Sequence, residues 1–130
     1  MTDNIDGLKY ICLTRELSNW IDMLKSEGQI SHAQDLIRVG VVLGLTFDEC
    51  EVDEKLKESI NRAQGDRNYN SGELDVNGYL SFLIRKFGGE DSEKPYRRMQ
   101  ALANLGVQSI RDKFYDEVIK WDEIEAEIKR

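Results

Sequence analysis

The segment LKYICLTRELSNWIDMLKSEGQISHAQDLIRVGVVLGL, residues 8–45, carries a short strand pattern followed by two helix patterns. Residues 9–13 alternate in hydrophobicity, with Ile11 and Leu13 on one face, which is the period-2 pattern of a β-strand. Thr14 is suited to cap the helix that follows. The apolar residues of that helix recur at helical spacing, at Leu17, Trp20, Ile21 and Leu24. The segment therefore predicts a strand and then a first amphipathic helix.

A second helix is predicted after Gly28, which ends the first one. Ser31 and Gln34 form an S-x-x-Q capping box at its start. Its apolar residues are spread around almost the whole helix, at Leu36, Ile37, Val39, Val41, Val42, Leu43 and Leu45. A helix that is apolar on nearly all sides is buried on nearly all sides. Gly40 and Gly44, four residues apart, carry no side chain that would hold a neighbouring helix away.

This opening segment needs partners that it does not itself contain. A short lone strand has unpaired backbone groups along its edges. The second helix is apolar on more sides than the first helix alone could cover. Both needs are met if two copies of the chain pair their strands antiparallel and pack their second helices together. We therefore expect a homodimer or higher oligomer, with residues 8–45 as its oligomerisation core.

The rest of the chain, residues 46–130, is predicted to be a helical extension of that core. A surface helix is indicated by helical spacing at Val52, Leu56 and Ile60. The stretch 65–78 is rich in Gly, Asn and Asp and is predicted to be a loop. Asp75 can cap the next helix. The apolar residues of that helix are Tyr79, Leu80, Leu83, Ile84 and Phe87.

A long final helical region is predicted from Pro95, which suits the first turn of a helix. Gly106 either kinks this region or divides it into two helices. The predicted fold class is therefore mainly α, with an N-terminal strand and two helices followed by a helical C-terminal extension. Residues 1–130 are predicted to form a single domain.

The composition is that of a soluble globular protein. The chain has 130 residues, of which 40% are apolar and 33% charged, and its net charge is −7. Its longest nearly uncharged run, residues 39–47, is far shorter than the roughly 20 apolar residues of a membrane span. The acidic N-terminus MTDNIDG lacks the pattern of a signal peptide. We expect a cytoplasmic protein that contacts no membrane, in which Cys12 and Cys50 are ordinary thiols.

The sequence shows no catalytic motif. Its one histidine, His32, lies in a capping turn and is more typical of a surface residue than of a general base. Residues 66–70 match the first ligand positions of an EF-hand calcium loop, but Ser71 and Asn77 stand where a glycine and a bidentate glutamate are required. We therefore expect no enzyme activity, no metal ion and no cofactor.

One local basic cluster stands out in this acidic chain. Arg85 and Lys86 end one predicted helix, and Lys94, Arg97 and Arg98 begin the next. Such a cluster can bind phosphate or an acidic partner. The alternative, that these are ordinary charges on helix surfaces, stays open.

The opening segment resembles the ribbon-helix-helix superfamily. The resemblance rests on the alternating KYICL, the helix entry LTREL, the turn EGQISHAQ and the second helix DLIRVGVVLG. It implies a dimer whose paired strands lie in the DNA major groove, with a phosphate held at the start of the second helix. The implied base-reading positions are Lys9 or Tyr10, Cys12 and Thr14, and the implied phosphate site is the backbone at Ser31 and His32. Only Lys9 is of the type that usually reads base edges.

The chain also looks like small proteins associated with bacterial DNA phosphorothioation (Dnd) and related defence systems. This second resemblance rests on the opening segment, an acidic middle, the glycine-bearing ALANLGVQSI and an acidic C-terminal helix. Some of these proteins use a ribbon-helix-helix-like core to assemble and to bind DNA ends or nicks. The resemblance implies double-stranded DNA and other proteins of the same system as partners.

Two functions remain open from the sequence. The first is a non-enzymatic, DNA-associated accessory or regulatory protein of a bacterial defence-type or toxin-antitoxin-type system. The second is an oligomeric adaptor whose acidic helices bind a basic partner protein, with no DNA binding. The candidate DNA-binding residues are Lys9, Tyr10, Cys12, Thr14, Ser31, His32, Arg85, Lys86, Arg97 and Arg98.

Overall fold

The computed structural model of the protein describes residues 10–57, 68–87, 95–115 and 117–129. The described part is mainly helical, as predicted, and it contains one two-stranded antiparallel sheet. In chain order the elements are β1 (Tyr10–Cys12), α1 (Arg15–Ser26), α2 (Ala33–Gly44), α3 (Glu49–Lys57), β2 (Asn68–Asn70), α4 (Ser71–Leu74), a 3₁₀ turn (Val76–Gly78), α5 (Tyr79–Phe87), α6 (Pro95–Lys113) and α7 (Trp121–Lys129). The residues that were singled out in the sequence but lie outside the described ranges are Lys9, Ile60, Asp66 and Lys94.

Helix α1 lies where the sequence predicts it. The Thr14 hydroxyl accepts a hydrogen bond from the Leu17 N–H at 3.4 Å and so caps the helix. Beyond the last turn, Gly28 has φ +79°, a left-handed conformation that glycine adopts without strain. The Gln29 N–H then donates to the Leu24 carbonyl at 3.0 Å. This hydrogen-bonded turn directs the chain from α1 into α2.

Helix α2 starts later than the capping box requires. Its N-cap residue is His32, whose side chain makes no capping hydrogen bond. The predicted box is therefore wrong, because Ser31 precedes the cap and Gln34 is only the second helical residue instead of the third. The predicted burial is confirmed, since the buried residues of α2 are Ala33, Leu36, Ile37, Gly40, Val41, Leu43 and Gly44.

The close neighbour of α2 is α6 of the same chain. A Cβ atom placed on Gly44 would lie 2.5 Å from the Leu102 carbonyl oxygen, and one placed on Gly40 would lie 2.6 Å from Val107 Cγ2. A Cβ on Gly106 would overlap the Gly40 carbonyl oxygen. The two helices thus cross backbone to backbone at glycines. The glycines of α2 do allow close helix packing, but the partner helix is intramolecular.

Strand β1 is also paired within the chain. It runs antiparallel to β2, with Tyr10 opposite Asn70 and Ile11 opposite Tyr69. Beyond this pairing, the Cys12 N–H donates to Gln100 Oε1 at 2.8 Å and the Cys12 carbonyl accepts from Asn104 Nδ2 at 3.0 Å. Helix α6 therefore lies along the strand and bonds both backbone groups of Cys12.

In the described residues 10–45, the needs that suggested a dimer are thus satisfied inside one chain. Asn104 Oδ1 also accepts the Thr14 N–H at 3.1 Å, so one amide side chain bonds the backbone on both sides of Leu13. A second copy could pair with β1 only by displacing these bonds, and a broken buried backbone bond costs about 1–3 kcal/mol. The expectation of a ribbon formed between two copies loses its physical basis.

The stretch 65–78 is not the plain loop that its composition predicts. In its described part it forms β2, α4 and the 3₁₀ turn. Strand β2 reads Asn-Tyr-Asn, and its pairing with β1 prevails over the weak strand propensity of asparagine. Asp75 does not adjoin α5, which begins at Tyr79, but its carboxylate accepts the Ser81 N–H in the first turn of that helix at 3.0 Å and also the Tyr96 hydroxyl at 2.9 Å.

Helix α6 passes through Gly106 without interruption, so of the two alternatives for that glycine the division into two helices is wrong. The break comes instead between Lys113 and Trp121, where Phe114 and Ile119 turn into the core. In the described part of the chain, no helix combines the length and hydropathy that crossing a bilayer requires.

Candidate functional site: an acidic groove beside helix α1

The strand residues implied in DNA reading are packed against the protein. Cys12 is only 2% exposed, and Tyr10 is half-buried beside β2. Thr14 uses its hydroxyl to cap α1 and its N–H to bond Asn104. Strand β1 therefore presents no row of free side chains that could enter a DNA groove.

The candidate phosphate site and basic cluster are dispersed. Ser31 and His32 are exposed at the start of α2, but Asp35 in the first turn of that helix adds a negative charge. Arg85 and Lys86 are exposed in the last turn of α5. These residues belong to different elements, α2 and α5.

Arg97 and Arg98, at the start of α6, are adjacent in sequence but differ in environment. Arg97 is exposed, whereas Arg98 is 2% exposed and pairs with Asp53 of α3 at 3.3 Å. Arg98 therefore cannot contribute to an exposed basic surface. The sequence contained the signal for this burial, since position 98 lies four residues before Leu102 on the apolar stripe of α6.

A concave surface of the described protein runs beside α1. It consists of three adjoining hollows of about 330, 270 and 320 Å³. The first two share Trp20, Met23 and Tyr115, and the second and third share Gln29. We call these three hollows together the α1 groove. Its exposed apolar side chains are Met23, Tyr115, Val118 and Trp121.

One wall of the α1 groove is a single face of α1. Glu16, Asn19, Trp20, Met23 and Glu27 line it, spaced three and four residues apart so that they project from the same side of the helix. This face adjoins the buried stripe of the helix. Trp20 is predicted on the apolar stripe of the first helix and Met23 has no predicted role, although the i, i+3 spacing of the two residues indicates this second apolar face.

The opposite wall is the segment between α6 and α7. Tyr115, Glu117 and Val118 line the groove there, and Val118 is 69% exposed. The Ile119 N–H donates to Gln29 Oε1 at 3.1 Å, which fastens this segment to the turn between α1 and α2. This hydrogen bond fixes the second wall to the turn that follows α1, so the groove is a built feature of the fold.

The margin of the α1 groove is acidic. Among its described lining residues are four carboxylates, at Glu16, Glu27, Asp35 and Glu117, and one guanidinium, at Arg111. Asp35 is paired with Arg38 at 3.0 Å. Arg111 is 3.9 Å from Glu16 and lies over the Tyr115 ring, 4.8 Å from its centroid.

Neither Glu27 nor Glu117 has a basic side chain within ion-pair distance among the described residues. The electrostatic potential of the groove is therefore suited to a cation.

The described residues contain no group of three or more His, Cys, Asp or Glu side chains arranged to hold a metal ion. Comparison of the chain with protein-family models, with curated proteins and with solved structures gives no match. The functional argument therefore rests on the geometry and charge of the groove.

Proposed function

We propose that the protein is a non-catalytic adaptor that binds a basic, amphipathic segment of a partner protein in the α1 groove. The observation that carries this proposal is the combination, in the neighbouring hollows of the α1 groove, of four exposed apolar side chains with four carboxylates and one guanidinium. Amphipathic helices are commonly recognised by apolar grooves of this kind. The basic residues of the partner would lie over Glu27 and Glu117, while its apolar residues contact Met23 and Val118.

The size of the apolar surface sets the expected affinity. The four exposed side chains offer on the order of 300 Å² of apolar area, which is the size of a functional surface patch. Burial of this area contributes about 7 kcal/mol at 25 cal/mol per Å². Association itself costs at least about 4 kcal/mol, and each exposed ion pair adds roughly 0–1 kcal/mol. We therefore expect micromolar or weaker binding, with the charges selecting the partner.

Duplex DNA receives less support as the ligand of the protein. Binding to DNA depends mainly on cations that neutralise phosphates. Cys12 and Arg98 are buried, β1 is paired with β2 and bonded to α6 within the chain, and the α1 groove is acidic. A negatively charged duplex would be repelled by the same carboxylates that attract a basic segment.

The two tryptophans of the chain make the proposal directly testable. Trp20 and Trp121 both line the α1 groove, so intrinsic fluorescence reports on its occupancy. The probe is a tryptophan-free peptide of about 15 residues with leucine and lysine at helical spacing. The matched control peptide has glutamate in place of each lysine, and a random duplex is titrated in parallel.

We expect a saturable fluorescence change with the basic peptide and none with the acidic peptide or the duplex. The variant Glu27→Lys should weaken binding severalfold, whereas Glu54→Lys, an equal charge reversal on exposed α3 outside the groove, should have little effect. Binding of duplex DNA without binding of the basic peptide would refute the adaptor proposal and restore the DNA-associated one. Equal binding of both peptides would refute the role of the acidic margin.

A further inference from the structure

Arg111 of α6 lines the 330 Å³ hollow of the α1 groove, and its guanidinium has donors that the described protein does not use. We propose that this guanidinium binds a carboxylate at the C-terminal end of the partner's helical segment, so that the bound segment runs antiparallel to α1. This inference rests on the proposed adaptor function, and it adds to that function a second ligand group and a direction of binding.

The donors of Arg111 are left without hydrogen bonds although the side chain is largely buried. It is only 19% exposed, and polar groups at such burial are normally hydrogen-bonded. Its Nε is buried with no hydrogen-bond partner among the described residues. Its Nη1 and Nη2 donate no hydrogen bond to these residues either, but these two atoms are not buried. They are therefore the donors that a ligand in the hollow can reach.

Glu16 compensates the charge of Arg111 only in part. Its Oε2 lies 3.9 Å from Arg111 Nη2, which is within the range of an ion pair but too long for a hydrogen bond. The Glu16 side chain is 78% exposed, and ion pairs of exposed side chains contribute little to stability. An incoming carboxylate that forms true hydrogen bonds to Arg111 can therefore displace Glu16.

The Tyr115 ring holds the guanidinium of Arg111 in place. Arg111 Cζ lies over this ring, 4.8 Å from its centroid. Arginine binds over aromatic rings while its N–H groups remain available to carboxylates. Two N–H groups can then bond the two oxygens of one carboxylate, which is the strong bidentate geometry of arginine. The first hollow is thus suited to a carboxylate, whereas the neighbouring hollow with Glu27 and Glu117 is suited to a cation.

The distance between the two charge preferences fits a single helix. Arg111 lies beside Glu16, in the first turn of α1, and Glu27 follows the last turn of that helix. Glu16 and Glu27 are eleven residues apart, which is roughly 16 Å along the axis and close to three turns. Two side chains of a bound helix with the same separation project from one face. One of them can contact Arg111 while the other contacts Glu27.

The helix dipole of the bound segment selects between its two possible directions. The C-terminal end of a helix carries partial negative charge and its N-terminal end partial positive charge. The favourable arrangement places the C-terminal end at Arg111 and the N-terminal end at Glu27 and Glu117. Since α1 runs from Glu16 to Glu27, the bound segment is antiparallel to it. The carboxylate comes from the chain terminus or from an acidic side chain in the last turn, and both sources present the same group.

Four versions of the basic peptide test this inference by intrinsic fluorescence. The reference peptide is acetylated and amidated and contains no carboxylate. The second has one glutamate in its last turn, the third has this glutamate in its first turn, and the fourth ends in a free carboxylate. We expect the second or the fourth to bind about fivefold more tightly than the reference, and the stronger of the two identifies the source. The third should show no gain, although a first-turn glutamate favours helix formation in the free peptide.

Variants of the protein assign the gain to Arg111. Arg111→Gln should lose the difference between the peptides. Arg85→Gln, an equal loss of charge on exposed α5 outside the groove, should keep it. In Trp121→Phe, Trp20 is the one remaining tryptophan. Because Trp20 lines the hollow of Arg111, a nitroxide at the C-terminal end of the peptide should quench its fluorescence more than one at the N-terminal end.

The outcomes separate this inference from the adaptor proposal. Binding of the reference peptide without a gain from either C-terminal carboxylate would overturn the inference and leave the adaptor proposal intact. A gain that persists in Arg111→Gln, or stronger quenching from the N-terminal end, would do the same. If none of the peptides binds, the adaptor proposal fails and this inference fails with it.

Discussion

The substitution Gly106→Ala tests the packing of α2 against α6. The added Cβ would overlap the backbone carbonyl of Gly40, which cannot rotate away as a flexible side chain can. Helices α2 and α6 must therefore move apart, by an amount on the order of 1 Å. A gap of 0.5–1 Å already removes a quarter to a half of the dispersion attraction between the facing atoms.

The expected loss of stability follows from two opposed effects. Overpacking a close contact costs about 1–3 kcal/mol and more where the backbone must shift, so we take roughly 4 kcal/mol for this site. Replacing glycine by alanine inside a helix returns up to about 1 kcal/mol. The net loss is therefore about 3 kcal/mol. For a chain of this size it corresponds to a decrease in Tm of roughly 10 °C.

Urea and thermal unfolding followed by circular dichroism measure this loss. The control is Gln108→Ala, which changes the same helix two residues further on, where the side chain bonds only the exposed Asp112 among the described residues. It should change stability by less than about 1 kcal/mol. Without the close crossing, Gly106→Ala would stabilise the protein through helix propensity. A Gly106→Ala protein as stable as the parent, or more stable, would therefore refute the described packing of α2 on α6.

Two further predictions concern buried polar groups. Asn104→Ala should lower the free energy of unfolding by about 2–4 kcal/mol, because the Thr14 N–H and the Cys12 carbonyl lose their hydrogen-bond partner. Urea unfolding measures this loss. A loss below about 1 kcal/mol would show that β1 is not held by α6. Arg98→Met should leave the stability of the protein unchanged or raise it. The substitution removes a buried charge, and Asp53, which is exposed, can be solvated by water when it loses its ion-pair partner. A large destabilisation in the same assay would mean that the Arg98–Asp53 ion pair holds α3 in place.

Local patterns in the sequence predicted the helices well but not their partners. The apolar spacing of α1 and α2, the Thr14 cap and the turn at Gly28 all follow from short-range physics. The glycines of α2 correctly indicated a helix packed at close range. Spacing along one chain does not say whether that neighbour belongs to the same chain, so α6 was taken for a second copy.

The features that were missed depend on contacts distant in sequence. Strand β2 consists of Asn68–Asn70, which carries little strand propensity and forms only against β1. In the sequence, Gln100 and Asn104 look like ordinary amide side chains of a helix. Their role in bonding the backbone becomes visible only when β1 is placed beside α6. Arg98 resembles a surface charge beside Arg97, although its position on the apolar stripe of α6 indicated burial.

The α1 groove could be recognised only in part. The face of α1 that contains Trp20 and Met23 is visible as helical spacing. Its other wall depends on the break after α6, which brings Tyr115 and Val118 across from α1. The four lining carboxylates come from three separate parts of the chain. Their convergence on one surface follows from tertiary structure alone.

The most direct test of the adaptor proposal is a charge swap across the α1 groove. In the double variant Glu27→Lys/Glu117→Lys, the two carboxylates without a basic partner become cations while the apolar side chains stay in place. Tryptophan fluorescence then measures the affinities of this variant for the lysine-rich peptide and for its glutamate counterpart. We predict that the parent protein prefers the basic peptide and that the double variant prefers the acidic one. An unchanged preference for the basic peptide would contradict the proposal that the α1 groove selects its partner by charge.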